Sequence, residues 1–286
     1  MAVLHEKHWP RKRFGQHFLT NGHIADRIVE SAAIGSNDTV LEIGPGKGIL
    51  TERIIRLARA VFAVEIDRDL SENLRQQFGG TEGFQLVESD ILKLDLGELF
   101  RDVPSRIKVV SNLPYNISSP VLELLIQNRA LISDAVLMVQ REVARRLLAP
   151  AGTKDYGLTT LNISLCAEGR KVMNVRPGSF NPPPEVMSTV ISLVFSEQYR
   201  YPLVDENIFR MITGAAFRQR RKMVRNTLIP FFVSRGIREP NATEILLNAG
   251  INIQSRPECL TVDDFVKISN SFVKMCSGSD TPETRP

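Results

Sequence analysis

The chain has 286 residues, enough for one large domain or a medium domain with a smaller one. With 43% hydrophobic and 24% charged residues it has the composition of a folded globular protein with ample core. No apolar run reaches the roughly 20 residues of a membrane span, so a membrane partner is not expected. The formal net charge is only +4, but it is unevenly spread: the span from Asn207 to Arg238 carries eight basic residues and no acid. That concentration fits either a polyanion partner or a solvated helix face. Cys166, Cys259 and Cys276 lack metal-ligand spacing and the four histidines all precede residue 24, so no metal site is expected. Residues 1–9 lack the apolar segment of a secretory signal, and structural thiols suit a reducing compartment; both point to the cytoplasm.

A helix over 23–33 precedes a run in which short apolar segments alternate with helical patterns, the signature of a parallel sheet with crossover helices. Strands are expected at 39–43, 60–65, 84–87, 108–111, 135–139, 171–175 and 189–195, and helices at 49–59, 70–78, 120–128, 142–148 and 159–166. The last strand follows a Pro-rich loop rather than a helix, which predicts antiparallel pairing at or near an edge. Beyond residue 200 the β-branched runs stop, and helices are expected at 206–228, 241–249 and 262–274. The division is therefore an α/β domain over 1–200, a small all-α domain over 201–276, and an unstructured polar tail over 277–286.

The residues with chemistry in them sit at strand ends. After the first strand comes Gly44-Pro45-Gly46-Lys47-Gly48, a turn that lets a ligand approach the backbone closely. Its G-x-G-x-G spacing is not the G-x-G-x-x-G of dinucleotide binders. The preceding Glu42 disfavours a diphosphate and favours a ligand carrying a positive group, such as S-adenosylmethionine. Glu65 ends the second strand, where an acid can accept both hydroxyls of a ribose. Asp90 follows the third and can accept from an adenine amino group. After the fourth comes Asn112-Leu113-Pro114-Tyr115. Here the Asn oxygen and the carbonyl before Pro can accept both hydrogens of an exocyclic amino group, and Tyr115 offers a stacking face. An ordinary Asn-Pro turn accounts for that tetrapeptide alone; four strand ends in succession are not accounted for that way.

Five segments carry a resemblance: Arg13–Leu19 (RFGQHFL), Glu42–Gly46, Asn112–Ser118 (NLPYNIS), Ser179–Glu185 (SFNPPPE) and Ala216–Asn226 (AFRQRRKMVRN). Together they resemble the ribosomal RNA adenine dimethyltransferases, specifically the small-subunit (16S) enzymes, over residues 11–272. The resemblance implies a class I methyltransferase, Rossmann-like seven-stranded sheet with a C-terminal all-α domain. It implies S-adenosylmethionine as cofactor, held by His17, Leu19, Gly44, Gly46, Glu65, Asp90 and Asn112. The target base would meet Asn112, Leu113, Pro114 and Tyr115, with Phe180 as the aromatic ring facing Tyr115 across it. Where the family pattern continues Val-Asp-Ser after the prolines, this chain has Val186-Met187-Ser188, and so lacks any hydrogen bond that the acid makes.

The reaction implied is N6,N6-dimethylation of two adjacent adenosines near the 3′ end of 16S rRNA, on a pre-30S particle, by a monomer with a role in small-subunit biogenesis. On a continuous helix over 206–228, Phe217, Val224 and Leu228 share one face, while Arg218, Arg221, Lys222 and Arg225 occupy a flank that can meet phosphates. Arg11, Lys12 and Arg13 can extend that surface. The rival readings are a 23S rRNA adenine methyltransferase, a DNA adenine methyltransferase, which usually carries a larger target-recognition segment, and an RNA-binding assembly factor. The glycine spacing disfavours a dehydrogenase.

Overall fold

The structure is a computed structural model and describes residues 16–277. Arg11, Lys12, Arg13 and the expected tail beyond Ser277 lie outside the described residues. A short strand, β1 (Phe18–Leu19), leads to helix α1 (Gly22–Ser31). Asn21 caps that helix by accepting from the Ile24 N–H at 3.2 Å, and Ala25, Ile28 and Val29 form its buried stripe. The alternation follows: β2 (Thr39–Ile43), α2 (Thr51–Ile54), β3 (Ala60–Glu65), α3 (Arg68–Phe78) and β4 (Phe84–Glu88). It continues with α4 (Leu96–Leu99), β5 (Ile107–Asn112), α5 (Ser118–Gln127), β6 (Ile132–Gln140) and α6 (Arg141–Leu147). Then come α7 (Leu158–Cys166), β7 (Ala167–Val175), β8 (Phe180–Asn181) and β9 (Ser188–Phe195). The helices α8 (Glu206–Arg218), α9 (Val224–Val233), α10 (Glu239–Asn248) and α11 (Val262–Ser277) close the described chain.

Seven strands form one sheet in the order β4-β3-β2-β5-β6-β9-β7. The five from β4 to β6 are parallel, and β9 runs antiparallel between β6 and β7. In β2 every residue is buried, as a strand covered on both faces requires. Strand β9 is one position in from the edge; the edge is β7, where exposed Glu168, Arg170 and Lys171 discourage further pairing. A separate two-stranded ladder joins β1 to β8, pairing Leu19 with Phe180. No described helix is long and apolar enough to cross a membrane.

The chain divides into two compact units. The first holds the sheet and comprises the chain up to Arg145 together with Cys166–Gln198. The second is helical and comprises Arg146–Leu165 together with the chain from Tyr199. Residues 146–165, which the sequence pattern assigns to the first domain, enter the helical unit because Leu161 and Leu165 pack in one buried cluster with Phe209, Leu228, Phe232 and Phe265.

The helix expected over 206–228 is two helices. Asp205 caps α8 through the Ile208 N–H, and Phe209, Ile212, Thr213 and Ala216 form its buried face. Helical propensity in Gln219–Met223 is high, yet the backbone turns there. Two tertiary contacts override it. Arg220 leaves the run to meet Glu258 at 2.6 Å and the Thr153 carbonyl at 2.9 Å. The first N–H groups of α9 are satisfied from a distant loop, Val224 by the Ser255 carbonyl and Arg225 by the Ile253 carbonyl.

Candidate active site

Four adjacent parallel strands deliver their carboxyl ends to one cavity. Gly44 follows β2, Glu65 ends β3, Asp90 lies two residues past β4, and Asn112 ends β5; all four line the cavity in the sheet unit. Gly44 and Gly46 have φ of +66° and +58°, which only glycine adopts without strain. A Cβ at Gly46 would lie 3.1 Å from the Phe18 ring, so the turn and the segment above it are fitted to each other.

That segment is Gln16–Thr20, and it closes over the turn through contacts of several kinds. Gln16 donates to Asp67 at 3.3 Å, Lys47 sits 5.0 Å over the Phe18 ring, and the Thr20 N–H donates to the Ser179 carbonyl. His17 Nδ1 donates to the Pro182 carbonyl at 2.9 Å, which leaves Nε2 as the acceptor in the neutral ring. Leu19 is buried in the ladder with β8. His17, Leu19 and Gly46 thus line the same cavity as the four strand ends.

Asn112 is tied to this segment. Its Nδ2 donates to the His17 carbonyl at 3.0 Å. A carbonyl can only accept, so the contact fixes which end of the amide is which, and Oδ1 is left as the available acceptor. The Leu113 N–H is spent on the Met138 carbonyl of β6, and Pro114 has no N–H, which makes the loop here acceptor-rich. Tyr115 is held by its hydroxyl to Ser188 Oγ at 2.7 Å, at the start of β9. Burial raises the Tyr115 pKa despite that hydrogen bond, so the phenol stays neutral.

The acids divide the work differently from the sequence reading. Glu42 is 1% exposed, and its Oε2 has no hydrogen-bond partner. Burial pushes its carboxyl up to about 8, with Thr51 opposing and the Glu65 charge adding. Glu42 is therefore neutral at pH 7 and does not line the cavity, so it is not the carboxylate that selects a cationic ligand. Glu65 does line it. Its Oε1 accepts from the Ile66 and Asp67 N–H groups, each at 2.9 Å, and Oε2 accepts from the Gly46 N–H at 3.1 Å. Burial raises its pKa while these backbone bonds lower it. Asp90 Oδ1 caps the short turn after β4 through the Leu92 N–H at 3.0 Å, and Oδ2 has no described hydrogen bond.

Phe180 is placed otherwise than expected. It is 4% exposed and packs in a cluster with Leu19, Val110, Val136 and Met138, and it is not among the residues lining the cavity. The ring that meets Tyr115 is His17, at 5.4 Å between centroids and tilted by 33°. Ladder pairing with Leu19 explains the burial of Phe180. Gln16, Phe18 and Ser188 are site residues that sequence reasoning did not single out. The first two lie inside the RFGQHFL segment that carried the resemblance, whereas Ser188 fell just before the expected strand and, though part of the Val186-Met187-Ser188 run, carried no signal of its contact with Tyr115.

Residues 7–274 match the family model described as ribosomal RNA adenine dimethylase. The chain belongs to the ribosomal RNA adenine dimethylase family. It is 41% identical over 273 residues to the ribosomal RNA small subunit methyltransferase A of Magnetococcus marinus, covering 95% of each chain. It is 35% identical over 269 residues to the protein of the same name from Desulfotalea psychrophila, covering 92% of this chain and 91% of that one. Among solved structures, a dimethyladenosine transferase from Plasmodium falciparum superposes with a TM-score of 0.76 at 29% identity, over 90% of this chain and 98% of that one. The 23S rRNA methyltransferase ErmE shares the fold, with a TM-score of 0.67 at 24% identity, covering 90% and 99% of the two chains. The fold is the α/β methyltransferase fold with C-terminal helices, and the protein is a methyltransferase.

Family membership bears on two further places. In the helical unit, Arg218 ends α8, Arg221 and Lys222 lie in the turn, and Arg225 is in the first turn of α9. They are exposed, but not on one flank of a continuous helix. Arg220, from the same run, is half-buried and paired with Glu258, so it is structural. In the sheet unit, Met187, where the family pattern has an acid, receives Arg141 Nη1 at 3.3 Å from its sulfur.

Proposed function

We propose that this protein transfers methyl groups from S-adenosylmethionine to N6 of two adjacent adenosines near the 3′ end of 16S rRNA, in a pre-30S particle. The observation that carries the reading is the oriented amide of Asn112, with its oxygen left free at the carboxyl end of β5. Relatives named as small-subunit enzymes, 35–41% identical over nine-tenths of the chain, favour the small subunit over the large. The residues suit the cofactor: a positive-φ glycine turn admits close backbone approach, and Glu65 and Asp90 offer acceptors to a ribose and an adenine amino group. His17, Leu19, Gly44, Gly46, Glu65, Asp90 and Asn112 are the assigned cofactor contacts.

When bound, S-adenosylmethionine supplies an electrophilic methyl group on a sulfonium. The protein's task is to make a poor nucleophile adequate. The N6 lone pair of adenine is delocalised into its ring. In the first transfer Asn112 Oδ1 and the Leu113 carbonyl accept the two amino hydrogens, and in the second one of them accepts the single hydrogen that remains, favouring a pyramidal nitrogen and stabilising positive charge as it develops there. Pro114 makes the loop rigid, and Tyr115, anchored by Ser188, stacks on the base. The nitrogen loses its proton after it has become cationic, so no strong base is required. Catalysis is positioning and electrostatics. Phe180 supports this pocket from behind the ladder, and facing Tyr115 across a bound base would require its ring to move out of the cluster.

The sheet unit serves as the cofactor and catalytic domain and the helical unit as the RNA-binding domain, in a monomeric cytoplasmic protein acting in ribosome biogenesis. Arg218, Arg221, Lys222 and Arg225 supply phosphate contacts that position the RNA. Replacing Arg221 and Lys222 together with glutamine lowers the slope of log affinity against log salt by about 0.7–0.9 for each phosphate no longer neutralised. Filter binding of rRNA between low and moderate salt measures it; an unchanged slope removes these residues from the interface. The reading as a whole is tested by offering labelled cofactor with unmethylated 30S subunits, 50S subunits and DNA. Label entering the 50S subunit would favour the 23S alternative.

A further inference from the structure

Most arginines of the sheet unit with a described contact are committed to acceptors. Arg53 meets Asp26, Arg56 meets Glu52, Arg75 meets Glu72, Arg101 meets Glu98, and Arg106 meets the carbonyls of Arg129, Ile132 and Phe195. Arg141 differs. It is exposed, and its described side-chain contact is the thioether of Met187, 3.3 Å from Nη1. A thioether is a weak, neutral acceptor, so the guanidinium keeps its full charge and most of its five donors. The contact orients the group without neutralising it.

Its place in the fold is specific. Asn112 pairs with Met138 in β6, and the Leu113 N–H donates to the Met138 carbonyl. Three residues further on, the Arg141 N–H donates to the Met187 carbonyl at 2.9 Å. The next residue, Ser188, pairs with Gln140 and holds the Tyr115 hydroxyl at 2.7 Å. Thus the same step of β9 that fixes the stacking ring also fixes Arg141, at the end of the sheet where Asn112 lies. A base drawn out of its stack to reach Asn112 brings its own flanking phosphates to this end.

We propose that Arg141, oriented by Met187, is a positioning residue that grips an RNA phosphate flanking the target adenosine. This rests on the RNA-methylation reading above. The contact belongs to the sheet unit and is separate from the cations of the helical unit. It holds the backbone of the nucleotide being methylated, so it acts on acceptor binding and not on the cofactor.

The test uses full-length protein, unmethylated 30S subunits and labelled S-adenosylmethionine, with RNA affinity measured separately as a function of salt. Arg141→Gln is expected to raise the KM for the acceptor about tenfold, with kcat and cofactor Kd within about twofold of wild type. Its RNA salt slope is expected to fall by about 0.7–0.9, and Arg141→Lys is expected to recover most of the KM loss. Met187→Asp, which gives the guanidinium a carboxylate partner, is expected to raise KM in the wild-type background and to add nothing in the Arg141→Gln background. If Arg141→Gln fails to fold, the KM and salt slope of Met187→Asp decide the matter. A wild-type KM and salt slope in Arg141→Gln overturns the proposal, as does a Met187→Asp effect of equal size with and without Arg141. A wild-type protein that methylates no RNA overturns the functional reading instead, while the salt slopes still report on Arg141.

Discussion

An Asn112→Ala protein is expected to lose about 10²- to 10³-fold in kcat for methyl transfer, the scale found when one preorganised hydrogen-bonding group is removed from an electrostatic site. The side chain has two ends with two duties. Nδ2 donates to the His17 carbonyl at 3.0 Å, which holds Oδ1 in a single orientation before any substrate arrives. An acceptor already in place costs no reorganisation when the adenine nitrogen becomes cationic. Truncation also releases the Gln16–Thr20 segment from β5, so cofactor affinity is measured alongside the rate. Asn112→Asp separates the two duties. It keeps an acceptor but cannot donate to the His17 carbonyl, so it is expected to weaken cofactor binding more than Asn112→Ala does. Single-turnover rates at saturating cofactor report the chemical step. Near-normal turnover in Asn112→Ala with unchanged cofactor affinity contradicts the mechanism.

Glu42→Gln is expected to stabilise the protein increasingly as pH rises from about 4.5 to about 8. Burial raises the folded-state pKa of Glu42 from 4.5 to about 8. Between those values the native state holds a proton that the unfolded state has released. The stability associated with that proton is fully present below about pH 4.5 and is lost as pH rises through 8. Glutamine is isosteric with the protonated acid and has no such dependence. The variant should match wild type near pH 5 and exceed it by a few kcal/mol at pH 8–9, an order-of-magnitude figure. Glu65, whose pKa is also raised, adds a slope of the same sign to both proteins; its charge is also one of the causes of the Glu42 shift, so that part of its effect belongs to the difference. Urea unfolding at several pH values measures the difference; a constant difference between pH 5 and 9 means Glu42 is not the titrating group.

The strand ends were legible because the sequence writes them in two independent ways. A parallel strand buried on both faces reads as an uninterrupted apolar run, and the residue ending it is polar only where a ligand or cap needs it. Val61–Glu65 has that form, Val109-Val110 reaches Asn112 through the buried Ser111, and the parallel order of β4, β3, β2 and β5 brings their ends together. The amino ends of β6 and β7 were not legible. Asp134, Glu168 and Arg170 are polar, and their strand conformation comes from pairing with β9, whose Val194 faces both Asp134 and Glu168. Tertiary pairing overrides local pattern there.

The same override splits the basic helix. Nothing local to Gln219–Met223 forecasts a turn, because the acceptors that make it are Glu258, Ser255 and Ile253, about thirty residues away in sequence. The inversion of Glu42 was equally hidden. A carboxylate and a buried carboxylic acid are the same letter, and only the packing around β2 tells them apart. The tie between Asn112 and the His17 carbonyl joins residues 95 apart in the chain, so the motif announced the amide but not the orientation that makes it useful.

The most direct test of the central claim is to react the protein with unmethylated 30S subunits and labelled S-adenosylmethionine, digest the RNA, and map the label by mass spectrometry. The expected result is N6,N6-dimethyladenosine at two adjacent positions near the 3′ end of 16S rRNA, and nowhere else. Label on a base other than adenine, or on a ring nitrogen rather than the exocyclic N6, contradicts the role given to Asn112.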